Sequence, residues 1–134
     1  MTKIFASTIA AGLMCIAAMA QPTVTAHIPF EFYVGNTKLP AGSYEIETGM
    51  SKILRIKDVS TRNLAVAFNP VLITRPTALE QPGKLVFYRY GDKVFLSEMW
   101  PPGDLTGRLV PRTDLELTLA RQTPPIRIES LTGK

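Results

Sequence analysis

Lys84 to Trp100 is two runs of strand-forming residues joined by Gly91-Asp92, and this feature does most to limit the fold. Glycine first in a two-residue loop suits a type II′ turn, whose twist matches that of an antiparallel hairpin. Such a turn pairs Tyr90 with Lys93, Tyr88 with Phe95 and Phe87 with Leu96. Side chains alternate across a strand. One face then carries Leu85, Phe87, Val94, Leu96 and Trp100, and the other Val86, Tyr88, Tyr90, Phe95 and Met99. Both faces are apolar. A sheet wetted on one side alternates apolar with polar. This hairpin therefore needs a cover on each face: a second sheet, a helix, a ligand or another chain.

Other segments read the same way. Val24, Ala26, Ile28, Phe30, Phe32 and Val34 recur at period two, a half-buried strand pattern. Pro29 lies within it and lacks an N–H, which points to an edge strand or a bulge. Leu39-Pro40-Ala41-Gly42 is a turn. Beyond it Tyr44 and Ile46 share one face and Glu45 and Glu47 the other. After Gly49-Met50-Ser51, Leu54 and Ile56 oppose Arg55 and Lys57. A hairpin here sets the glutamates against the bases across its wet face, where each pair is worth roughly 0.2–1 kcal/mol. Asn63 to Thr74 is apolar and broken by Asn69-Pro70, read as a bulge or bend, and Arg75 to Gly83 is a loop.

Pro101-Pro102-Gly103-Asp104 ends the hairpin's second strand. Thr113 and Glu116 form a capping box for a helix over 113–121, with Leu115 and Leu119 on one face and Arg121 at the negative end. This helix is a natural cover for the hairpin's second face. Ile126 and Ile128 alternate with Arg127 and Glu129 as a last short strand.

The first twenty residues have the layout of a cleavable secretory signal. Lys3 is followed by an uncharged run, Ile4 to Ala20, that ends Ala18-Met19-Ala20 before Gln21-Pro22. The run is short and weakly apolar for a membrane span of about 20 residues. Cys15, the chain's one cysteine, follows Gly12-Leu13-Met14. Met14 is too bulky for the position before a lipidated cysteine, so Cys15 reads as part of the apolar run. Export therefore leaves a periplasmic or secreted chain of residues 21–134 with no thiol. Disulfides, thiolate zinc sites and cysteine nucleophiles are excluded from it. Its stability must come from a core, and it is long enough for one domain.

Removal of residues 1–20 takes Lys3 and no acid, so the net charge falls from +4 to +3. The basic residues are scattered, with no basic run or Arg-rich helix, which argues against nucleic acid as a partner. Catalytic and metal chemistry are equally short of material. His27 is the only histidine, too few for a histidine-rich metal site and the sole base on which a Ser-His-Asp arrangement could be built. Glu31, Glu98 and Asp104 are candidate carboxylates for acid–base work, with no spacing that singles them out. Gly103-Asp104-Leu105-Thr106-Gly107 lacks the Lys-Ser/Thr of a phosphate loop and reads as a turn. No catalytic residue, cofactor or metal site is assigned. The candidate binding or interface face is Tyr88, Tyr90, Phe95, Met99 and Trp100.

The chain resembles a group of small exported proteins of unknown function that are numerous in acidobacterial genomes. The resemblance rests on His27-Ile28-Pro29-Phe30-Glu31-Phe32, Leu39-Pro40-Ala41-Gly42-Ser43-Tyr44, the block from Gly83 to Asp92, Phe95-Leu96-Ser97-Glu98, Trp100 and Gly107-Arg108. Tyr88 stands where that group often has histidine. The resemblance implies export and one compact β domain, and assigns no activity.

Together these readings predict an all-β domain: a small antiparallel barrel or sandwich of about six to eight strands with one short C-terminal helix. The leading functional expectation is a non-enzymatic envelope or secreted protein that binds or scaffolds, its partner an envelope component, an apolar small molecule or another protein chain. One alternative is a barrel holding a small apolar ligand against Tyr88, Tyr90 and Phe95. Another is a hydrolase using carboxylates such as Glu31 and Glu98.

Overall fold

The computed structural model describes residues 23–47, 53–75 and 82–132. The secretory signal, Cys15, the Gly49-Met50-Ser51 turn and most of the Arg75–Gly83 loop lie outside them. The described residues form eleven strands and one helix. The strands make two facing sheets around a shared core. One sheet runs β1 (Thr23–Ile28), β4 (Gly42–Glu47), β5 (Leu54–Asp58), β6 (Leu64–Phe68). The other runs β11 (Ile126–Leu131), β8 (Lys84–Tyr90), β9 (Lys93–Trp100), β10 (Thr106–Leu109), β7 (Val71–Thr74). A small β2 (Phe32–Val34) and β3 (Thr37–Leu39) hairpin joins it through β9. The architecture is a sandwich, and neither sheet closes on itself. Every pairing is antiparallel except β2 with β9, which is parallel at Tyr33 and Phe95.

The excess over six to eight strands has a simple origin. The alternating run from Val24 to Val34 is two strands, because at Pro29-Phe30-Glu31 the chain passes from the first sheet to the second. Even-numbered residues point inward on both sides of that crossing: Val24, Ala26 and Ile28 before it, Phe32 and Val34 after it. The period is unbroken, so the sequence reads as continuous. Asn69-Pro70 does the same between β6 and β7, which lie in different sheets. Proline has no N–H to give to a ladder, so a crossing between sheets accommodates it. The short strands β3 and β10 carry no alternation long enough to read.

The core is the space between the sheets. Phe32 meets Tyr44 from the opposite sheet edge-on at 5.4 Å, and Phe87 at 5.8 Å. Phe30 meets Phe87 at 5.1 Å, also edge-on. Edge-to-face contact suits the ring quadrupoles and adds about 0.5–1.5 kcal/mol per pair beyond burial. Tyr44 keeps its hydroxyl satisfied by donating to the Pro40 carbonyl at 2.6 Å, which pins the turn between β3 and β4. On the outer face of the first sheet, Glu45 lies opposite Lys57 and Glu47 opposite Arg55, as the alternation requires. The ion pair itself is diagonal, Lys57 to Glu47 at 2.6 Å.

Candidate functional site

The hairpin of β8 and β9 forms with the register read from Gly91-Asp92. Tyr90 pairs with Lys93, Tyr88 with Phe95 and Phe87 with Leu96. Gly91 has φ 65°, the left-handed value that the first residue of a type II′ turn needs. Four residues further along, the register shifts. Val86 pairs with Glu98 rather than with Ser97, so Ser97 is an extra residue in β9. A bulge of one residue reverses the faces beyond it. Met99 therefore turns into the core, in one cluster with Leu85, Phe87 and Leu96. Trp100, in register with Lys84, moves to the opposite face. This corrects the face assignment of both residues. The Ser97 carbonyl is not lost, for it accepts the Val110 N–H at 2.8 Å.

The hairpin's second face thus carries Val86, Tyr88, Tyr90, Phe95 and Trp100. Val86, Tyr90, Phe95 and Trp100 are buried and Tyr88 is half-buried. The cover comes from several elements of the chain itself. Tyr33 of β2 stacks on Phe95 with centroids 4.9 Å apart, and Tyr90 meets Phe95 edge-on at 5.8 Å. The Arg75 guanidinium lies 5.0 Å above the Trp100 ring. Trp100 Nε1 donates to Glu98 Oε1 at 2.9 Å. Arg127 of β11 reaches Glu98 at 3.8 Å and Glu129 at 2.8 Å. Arg112 sits 5.8 Å over Tyr88. The second face is therefore filled with rings and capped by cations.

Helix α1 (Asp114–Gln122) contributes to that cover in an unexpected way. Thr113 is the N-cap, its side chain accepting from the Glu116 N–H at 3.3 Å. Glu116 does not complete the box. It turns into the hairpin, only 4 % exposed, where the Tyr90 hydroxyl donates to Oε2 at 2.9 Å. Leu115 and Leu117 point to solvent and Leu119 is half-buried, so the predicted Leu115–Leu119 apolar face is not the docking face. Burial raises the Glu116 carboxyl above the usual carboxylate value, with the Tyr90 hydrogen bond and the Arg112 charge pulling weakly the other way. Tyr90 is pushed up to about 12, by burial first and then by Glu116.

Each carboxylate considered for catalysis is engaged by partners of its own. Glu31 faces Lys38 at 3.1 Å, and Glu98 is engaged by Trp100 and Arg127. The Asp104 carboxylate accepts the Thr106 N–H at 2.9 Å and shapes the turn. His27 lies opposite Ser43 on the outer face of the first sheet, its Nδ1 3.2 Å from the serine hydroxyl. Among the described residues no three His, Cys, Asp or Glu side chains gather as metal ligands, and no helix is long and apolar enough to cross a membrane.

Two surface depressions fall outside the sequence reading. One, of about 390 Å³, is lined by Glu45, Lys57, Asp58, Val59 and Arg62 at the β5–β6 turn. The other, of about 90 Å³, lies beside Tyr33 and Lys93. The first joins the β5–β6 turn to Glu45 of β4, and the second depends on β2 lying against β9, which had no sequence signal at all.

Exposed apolar side chains lie elsewhere, on edge strands. Leu131 and Ile126 of β11 are 68 % and 52 % exposed, Leu64 of β6 is 54 %, and Val71 and Leu72 of β7 are 50 % and 64 %. β6 forms one edge of the first sheet and β7 one edge of the second, opposite β1 and β11 respectively. The segment from Leu64 to Thr74 that makes these two edges contains no charged residue, whereas β11 carries Arg127 and Glu129.

No protein-family profile matches the chain, and neither a curated protein nor a solved structure shows significant similarity to it.

Proposed function

We propose that this is an exported, non-enzymatic β-sandwich of the bacterial envelope or its surroundings that scaffolds by pairing with a second copy of itself through strand β7. One observation carries the reading: β7 pairs only with β10 among the described residues, and its free edge is uncharged and apolar. An edge strand exposes a row of backbone donors and acceptors, and natural proteins normally block it with charge, proline or a bulge. Here Pro70 precedes the strand and nothing in Val71–Thr74 carries charge. Two β7 strands meeting antiparallel about a two-fold axis complete each other's ladder with no like charges opposed.

Export supports the reading through the layout of residues 1–20, which leaves a chain that reaches its compartment without cysteine. The resemblance to small exported acidobacterial proteins points the same way. The apolar-ligand alternative has less support, because Phe30, Phe32, Tyr44 and Phe87 pack edge to face in the space between the sheets. On the hairpin's second face, Tyr88 is the ring left partly within reach of a partner.

Leu72→Lys tests the proposal. Leu72 is 64 % exposed, so the change places a charge on the free edge without disturbing the core. Light scattering on the eluting protein is expected to give a dimer for the wild type and a monomer for the variant. The melting temperature of the variant, extrapolated to low concentration, should match the wild type. A wild-type monomer at every concentration sinks self-pairing. A mature N-terminus other than Gln21 in exported material contradicts the assigned cleavage.

A further inference from the structure

Helix α1 meets the hairpin in an unusual manner for a short helix. A surface helix ordinarily docks through an apolar stripe. Here the one buried residue of α1 is a carboxylate, Glu116, while Leu115 and Leu117 face solvent. Nine residues make a helix too short to persist in water without tertiary contacts. Its attachment therefore depends heavily on what Glu116 does.

We propose that α1 is a detachable cover on the outer face of the hairpin, latched by Glu116 to Tyr90, and that the latch holds more firmly in mild acid than at neutral pH. The geometry supplies the reason. The Tyr90 hydroxyl donates to Glu116 at 2.9 Å, and a neutral carboxyl still accepts that hydrogen bond, though less strongly than an ionised one. The larger difference lies in hydration. An ionised carboxylate loses its hydration when it docks, whereas a protonated one loses little. Among the described residues the charge facing Glu116 is Arg112, just before the helix, at 3.8 Å and half-exposed. From the hairpin side the facing groups are Tyr90 and, beneath Arg112, Tyr88, both phenols. The Tyr90 hydrogen bond and one exposed cation together do not offset the desolvation, and the Glu116 carboxyl is held above its ordinary value.

The sign follows directly. The docked state binds the Glu116 proton more tightly than the released state does. Docking is therefore favoured as pH falls through the raised value toward the ordinary carboxylate range, and weakened as pH rises through that window. Release frees the Tyr90 hydroxyl from its Glu116 partner and lets Leu115 and Leu117 reorient. The latch does not depend on pairing through β7, which lies at the far edge of the second sheet from the strand that carries Tyr90 and its neighbour β11.

Hydrogen exchange of the α1 amides at pH 5 and pH 8, corrected for intrinsic exchange rates, tests this. Wild-type protection should be greater at pH 5, by up to about tenfold for each unit separating the docked and released pKa. Glu116→Gln should remove that pH dependence while the rest of the sandwich keeps its protection. Tyr90→Phe, which keeps the buried ring, should speed α1 exchange at both pH values. Equal wild-type protection at the two pH values, an unchanged pH dependence in Glu116→Gln, or unchanged α1 exchange in Tyr90→Phe would each overturn the latch.

Discussion

The Trp100 ring lies flat against the backbone of Gly107: a Cβ built on that glycine would sit 2.6 Å from the Cδ2 of the indole. Gly107 is buried in β10, in register with Ile73 of β7. The contact joins the end of the hairpin to β10, the strand on which β7 is paired. Gly107→Ala forces either the ring or the strand to move, and overpacking of this kind costs about 1–3 kcal/mol. Urea unfolding followed by Trp100 fluorescence should show the lower midpoint. A variant as stable as the wild type would mean that β10 shifts without cost.

Tyr44 is anchored at both ends, its ring against Phe32 and its hydroxyl on the Pro40 carbonyl. Tyr44→Phe keeps the first contact and removes the second. The expected loss is about 1 kcal/mol, with a little more where the carbonyl is left unsatisfied. The denaturant midpoint should fall with no change in slope, because the surface exposed on unfolding is nearly the same.

Thr113→Ala removes the side-chain acceptor of the Glu116 N–H. Lost N-caps cost about 1 kcal/mol. Because α1 is attached so lightly, the effect should appear as faster hydrogen exchange confined to the helix. Uniform loss of protection across the sheets would contradict that account.

Acid should act in two opposite directions. Asp58 is held below the ordinary carboxylate value, chiefly by the Ser60 hydroxyl, and Glu129 is held low chiefly by Arg127. Each contributes stability above its unfolded value that is lost as pH falls through the lower folded one. Glu116 has the opposite sign, favouring the fold as pH falls through its raised value. A melting profile taken downward from pH 7 should therefore hold or rise first and then drop. Glu116→Gln should remove the rise, and Asp58→Asn with Glu129→Gln should flatten the drop.

Much of this molecule was legible because strands announce themselves at period two. The β8–β9 pairing, the Glu45–Lys57 and Glu47–Arg55 oppositions and the Thr113 cap all followed from local rules. The crossings at Pro29 and Asn69-Pro70 were hidden, since inward alternation carries on unchanged when a strand swaps sheets. Met99 and Trp100 exchanged faces because a single bulge at Ser97 inverts everything after it, and a bulge is decided by long-range pairing with β10. Glu116 was read as half of a capping box; its burial depends on Tyr90, 26 residues away in sequence. Tyr33 meets Phe95 through a parallel pairing that no local pattern encodes.

The central claim is that copies of the chain join edge to edge along β7. Hydrogen exchange of the β7 amides across a range of protein concentrations tests it most directly. The account predicts that exchange in Val71–Thr74 slows as concentration rises, while β4, central in the other sheet, stays constant. Exchange in β7 that does not vary with concentration, alongside a chain that remains monomeric, would contradict it.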